Sequence, residues 1–130
     1  MNSGRRGVPL AKILIVDDQD AFRSMLCDIL KAHGHETLEA PNGRTGISLF
    51  EGAAIDVVLT DIDVPDINGF EMIRRLKQTS TRAHFIAMSG GPSIESVKKV
   101  AHLLGASHTF KKPLDMPDLL ATIHQVTNSN

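Results

Sequence analysis

Five side chains suited to phosphate chemistry stand where short strand-like runs stop, three of those runs strongly apolar and the last more polar. Lys12-Ile13-Leu14-Ile15-Val16 ends in Asp17-Asp18, and Val57-Val58-Leu59-Thr60 ends in Asp61. Phe85-Ile86-Ala87-Met88 ends in Ser89, and His108-Thr109-Phe110-Lys111 ends in Lys112-Pro113. A carboxylate at the end of a buried strand needs a reason, because apolar surroundings disfavour its charge. Three carboxylates on one rim also repel one another. A hard divalent cation removes that conflict. Magnesium suits it, since it takes oxygen ligands, keeps several waters and bridges carboxylates to a phosphoryl group. Lysine is a compact cation able to neutralise a phosphoryl oxygen, and serine can donate a hydrogen bond to another. Phosphoryl transfer needs mainly positioning and charge stabilisation. These residue types therefore point to Asp61 as a phosphate acceptor served by Mg2+.

The rest of the chain must bring those ends together. The apolar runs read as strands, and continuous runs mark strands covered on both faces of a parallel sheet. His35 to Ala40 is a weaker, more polar strand. Between the strands, residues recur at helical spacing. Phe22, Met25, Leu26, Ile29 and Leu30 form the first such stripe, ending near His33-Gly34. Arg44 to Gly52 buries Ile47 and Phe50, with Gly46 on the inner side. Phe70 to Gln78 turns Phe70, Ile73 and Leu76 inward. Ile94, Val97, Ala101 and Leu104 close at Gly105, and Met116, Leu119, Leu120 and Ile123 give the last helix. Pro65-Asp66-Ile67-Asn68-Gly69 is a turn. Five strands alternating with five helices imply right-handed parallel crossovers with helices on both faces. Placing the polar second and fifth strands at the edges gives the order 2-1-3-4-5, a flavodoxin-like doubly wound α/β sheet. Its ligands bind outside the carboxyl ends of the strands, at the switch point between strands one and three.

Composition narrows the function classes. At 130 residues with 42% apolar content, the chain reads as one domain with a sizeable core. A net charge of -1 provides no broad field for nucleic acid or anionic lipid. No apolar run approaches a membrane span. Residues 1–10 lack an apolar h-region and read as a flexible leader, residues 11–127 as the domain and residues 128–130 as a frayed tail. The lone Cys27 excludes an internal disulfide framework, suits a reducing cytoplasm and fits a small buried hydrophobe. His33, His35, His84, His102, His108 and His124 lack metal-ligand spacing.

The four motifs Ile15-Val16-Asp17-Asp18, Leu59-Thr60-Asp61 with Pro65 and Gly69, Met88-Ser89-Gly90, and Lys112-Pro113 resemble the receiver domains of two-component response regulators. The resemblance runs from about Lys12 to Val126. It implies Asp61 as phosphoacceptor, Asp17 and Asp18 as holders of Mg2+ with Asp61, and the backbone carbonyl of Asp63 as a further ligand. It also implies Ser89 as a switch hydroxyl and Lys112 as its partner at the phosphoryl group. The expected donor is a phosphohistidine on a sensor histidine kinase or histidine phosphotransfer protein. A downstream protein is expected to bind the face of the fourth helix, fifth strand and fifth helix, because Ser89 and Lys112 lead into it. The protein is then a stand-alone cytoplasmic regulator that catalyses only its own phosphorylation and dephosphorylation.

Two positions depart from that family. Thr109 stands where an aromatic residue usually precedes the lysine by three, and Phe110 belongs on the opposite face of the strand. Asp63 adds an acidic side chain near the attack site, where it is expected to alter autodephosphorylation. Two other functions use the same residues. One is a haloacid-dehalogenase-like phosphatase with Asp61 as nucleophile and Asp63 as general acid, disfavoured because the acidic pair comes first in the chain. The other is a phosphorylation-independent interaction module.

Overall fold

The computed structural model describes residues 10–80 and 82–128. Most of the expected leader, Thr81 of the polar loop and the last two residues of the expected tail lie outside the described residues.

The elements run β1 (Lys12–Val16), α1 (Asp20–Ala32), β2 (Glu36–Ala40), α2 (Gly43–Glu51), β3 (Val57–Asp61), α3 (Gly69–Thr79), β4 (His84–Ser89), α4 (Ile94–Leu104), β5 (Ala106–Lys111) and α5 (Met116–Thr127). The sheet order is β2-β1-β3-β4-β5 with every neighbouring pair parallel, as the edge placement of the polar strands implies.

Side chains alternate across the central strands, so each strand feeds two cores. Leu14, Val16, Val58, Phe85 and Ala87 pack with Phe50, Met72, Ile73, Leu76 and Ala101 of α2, α3 and α4. Ile13, Ile15, Val57, Leu59, Ile86 and Met88 pack with Leu26, Leu30, Leu119 and Ile123 of α1 and α5. Each fully buried aliphatic side chain contributes about 1.5–3 kcal/mol over its exposed state. Both faces are therefore sealed, and polar groups collect at the strand ends.

Helix starts are chemically marked. Asn42 accepts from the Thr45 amide at 2.7 Å, Asn68 from Glu71 at 3.0 Å and Asp115 from Asp118 at 3.0 Å. Gly34 and Gly105 follow α1 and α4 with φ of 92° and 127°. Gly46 lets α2 lie on the sheet, since a Cβ there would stand 3.1 Å from a Val16 methyl.

Three details differ from the periodicity reading. Met25, placed in the apolar stripe, is 43% exposed, because α1 is rotated to set Leu26, Leu30 and Cys27, the last buried as expected, on the sheet. Met72 is fully buried and Phe70 only half-buried, a similar rotation of α3. β5 begins at Ala106 rather than His108, with a register shift opposite Phe85 and Ile86 that makes Ser107 the extra residue.

Candidate functional site at the carboxyl ends of the strands

The backbone leaving β1 places Asp17 on the rim with no exposed surface. Its Oδ1 accepts from the Gln19 amide at 2.8 Å, which fixes the carboxylate as the chain turns into α1. Asp18, next along, is exposed. β3 extends one residue further than the apolar run and includes Asp61, 7% exposed, whose Oδ1 accepts from the Asp63 amide at 2.9 Å. The loop then turns sharply through Asp66, at φ 69°, before Asn68 caps α3. Gly69 lies directly under that turn. A Cβ on it would stand 2.5 Å from the Asp61 carbonyl oxygen, so only glycine fits without a shift. The Gly43 amide at the start of α2 donates to the Pro65 carbonyl at 3.2 Å and supports the loop from the other side.

Lys112 reaches across from the end of β5. Its Nζ stands 2.7 Å from Asp61 Oδ2 and 2.8 Å from Asp17 Oδ2, so one ammonium bridges two buried carboxylates. Gln19 Oε1 is 3.5 Å away, and the Phe22 ring centroid is 4.4 Å from the same nitrogen. Burial pulls the lysine pKa down, but the hydrogen bonds and charges of Asp17 and Asp61 outweigh it and hold the pKa above its ordinary value. The Lys112 amide donates to the Ser89 carbonyl at 2.9 Å, and the Lys112-Pro113 bond is cis. Ser89 is 2% exposed, and its Oγ accepts a long bond of 3.3 Å from the Gly91 amide. Lys111 is exposed, as expected of a solvated neighbour.

The structure thus brings Asp17, Asp61 and Lys112 into direct contact and places Ser89 at the same rim. Among the described residues, no three His, Cys, Asp or Glu side chains group to hold a metal. The Lys112 ammonium offsets part of the charge of Asp17 and Asp61. The donor set nonetheless fits magnesium, which binds through one or two carboxylates and keeps several waters.

Sequence reasoning missed Arg23. Its guanidinium, with a side chain 13% exposed, donates to the Asp17 carbonyl at 2.6 Å and pairs with Asp20 at 2.9 Å and Glu39 at 3.0 Å. It ties the end of β1 to the first turn of α1 and to edge strand β2. The signal was present: Arg23, Leu26, Cys27 and Leu30 lie at i, i+3, i+4 and i+7, so a charge sits on the buried stripe. Phe22 and Gln19 carry no such signal.

At the opposite edge, Thr109 faces α4. With Glu95, Lys98, Lys99, His102 and Ala106 it lines a cavity of about 390 Å³. Phe110 packs into the core under α1 and α5, on the other face, because the register shift lies before Thr109. His35 and His84 are half-buried; burial lowers both pKa values, helped by His33 and His124 at the first and by Lys77 at the second. Burial also pushes the Cys27 thiol up to about 11, so it is an inert core group.

The response regulator receiver domain matches residues 13–124. Protein PilH of Pseudomonas aeruginosa is 38% identical over 90% of this chain and 98% of its own length. Sporulation initiation phosphotransferase F of Bacillus subtilis is 30% identical over 83% of this chain and 86% of its own. A receiver domain crystal structure from Clostridium thermocellum superposes with a TM-score of 0.85 at 28% identity, covering 92% of this chain and 95% of that one.

Proposed function

The chain belongs to the receiver domain family of response regulators in two-component signalling, and from that premise we propose that Asp61 is its phosphoacceptor. The observation that carries the assignment is the Asp61 carboxylate, buried at the end of β3 and held 2.7 Å from an ammonium shared with Asp17. In the reaction an Asp61 carboxylate oxygen forms a bond to phosphorus as the P–N bond of a phosphohistidine breaks, and the leaving imidazole keeps the electron pair. The Asp63 amide holds Oδ1 and so fixes the plane of the carboxylate. Lys112 passes from Asp61 Oδ2 to a phosphoryl oxygen, and the Ser89 hydroxyl donates to another. Asp17, Asp18 and Asp61 with the Asp63 carbonyl would hold Mg2+, which offsets charge on the phosphoryl oxygens when bound. The haloacid-dehalogenase alternative gives way to the receiver family.

The donor is a sensor histidine kinase or a histidine phosphotransfer protein, and residues 11–127 form the functional domain. The Bacillus subtilis relative is a phosphotransferase, which fits a chain that accepts and passes on a phosphoryl group. Output leaves through the face of α4, β5 and α5. Ser89 leads into α4 and Lys112 terminates β5, so a phosphoryl group that draws both inward biases that face between two states. Among the described residues no helix is long and apolar enough to cross a membrane.

The test is incubation with Mg2+ and acetyl phosphate, followed by mass measurement. An acid-stable, base-labile phosphoryl adduct is expected on the wild type and not on Asp61→Asn. An equal adduct on both proteins ends the assignment.

A further inference from the structure

Two carboxylates do not account for all that surrounds the Lys112 ammonium. It also stands 4.4 Å from the centroid of the Phe22 ring, well inside the range over which an aromatic face attracts a cation. The only other cation–ring contact among the described residues is looser, with Lys77 at 5.8 Å from Phe85. Phe22 lies in the first turn of α1 and packs on the core between that helix and the sheet, so its ring is anchored.

We propose that Phe22 is a positioning residue for phosphoryl transfer, its ring face holding the Lys112 ammonium in the site while the ammonium changes partners. The inference rests on Asp61 being the phosphoacceptor. Transfer converts the Asp61 carboxylate into an acyl phosphate. The lysine must then give up its 2.7 Å contact with Oδ2 and follow the new negative charge onto a phosphoryl oxygen. A third carboxylate would resist that movement, because a charged hydrogen bond is short and directional. A ring face does not, because its attraction is spread over the π-system and persists out to about 6 Å. The ring also covers an ammonium whose side chain is 15% exposed, and displaced water leaves its charge less screened.

The decisive experiment replaces Phe22 with mono-, di- and trifluorinated phenylalanine. Fluorine draws density from the ring face while nearly preserving its shape, so packing is kept and the cation contact weakens stepwise. With saturating Mg2+ and acetyl phosphate, the rate of adduct formation should fall along the series, by roughly threefold at the last step. The same fluorination of Phe50, in the core on the other face of the sheet, should leave the rate unchanged. In metal-free wild type, the Lys112 Hε resonances should be displaced upfield by the ring current and return in Phe22→Leu. A flat rate series, or undisplaced Lys112 resonances, overturns the role of Phe22 while leaving Asp61 as acceptor. No adduct on the wild type overturns both.

Discussion

Two charge clusters in this molecule each set one ion between two of opposite sign, at nearly the same distances. On the outer face of α3, Glu71 pairs with Arg74 at 2.6 Å and with Arg75 at 2.7 Å, all three side chains at least one-third exposed. At the strand ends, Lys112 pairs with Asp61 at 2.7 Å and Asp17 at 2.8 Å, with side-chain exposures of 15%, 9% and 0%. The exposed cluster is local, made of residues three and four apart in one helix. The buried one joins residues 51 and 95 positions apart. Exposed pairs add little, because water and salt screen them. A buried charge that loses its partner is costly to leave behind. Distance alone therefore says little about what an ion pair does; burial decides it.

The largest effect should come from Lys112→Met. It leaves two buried carboxylates facing one another, and urea unfolding should show a loss of about 2–4 kcal/mol. A loss no larger than that of an exposed lysine would erase the contrast between the clusters. Gly69→Ala should follow, at about 1–3 kcal/mol, because the new methyl must displace the Asp61 carbonyl. That variant should also form the phosphoryl adduct more slowly, since the acceptor strand end moves. Arg23→Met keeps the apolar stem but leaves the Asp17 carbonyl without its 2.6 Å donor. A loss of about 1–2 kcal/mol is expected in the same measurement, and it should persist at high salt. Asp63→Ala removes an exposed carboxylate beside the acceptor, and the acyl phosphate should live several-fold longer; equal lifetimes would show that this side chain takes no part in hydrolysis.

The exposed cluster should respond least. Glu71→Gln should leave the urea midpoint unchanged within error at high salt. Its titration sharpens the contrast. The hydrogen bonds from Arg74 and Arg75 pull the Glu71 carboxyl below its ordinary value of 4.5, an effect that solvent and salt screen at this exposed site. Its folded pKa is depressed, so whatever stability it contributes is present above pH 4.5 and is lost as the pH falls through the lower folded value. Lys112 has the opposite sign. Its raised pKa means a contribution complete below pH 10.5, lost as the pH rises through the higher folded value. Comparing wild type with each variant across both limbs should show a difference on the acid side for Glu71→Gln and on the alkaline side for Lys112→Met.

Much of this arrangement was legible in the chain. The strand order follows from where the strand-like runs turn polar: Glu36 and Glu39 mark β2 as an edge, and His108 and Lys111 mark β5. Asp17, Asp61, Ser89 and Lys112 announce themselves by ending those runs. Phe110 could be assigned to the core from strand alternation, and the structure puts it there. Helix rotation was less legible, since Met25 and Cys27 are both apolar and only packing chooses between them. Arg23 was overlooked because a charge on a buried stripe is read as an error in the stripe until its partners are known.

Local chemistry is thus what the sequence by itself determined. Strand and helix periods, caps at Asn42, Asn68 and Asp115, and the placing of acids and a lysine at strand ends all depend on neighbours a few residues apart. Which groups actually meet was decided only by the tertiary structure. That a single ammonium spans Asp17 and Asp61, that Phe22 lies beneath it, and that Arg23 grips the Asp17 carbonyl depend on helix rotation and side-chain reach. Those are set by core packing over the whole sheet, where distant residues contribute jointly and no short stretch carries the information.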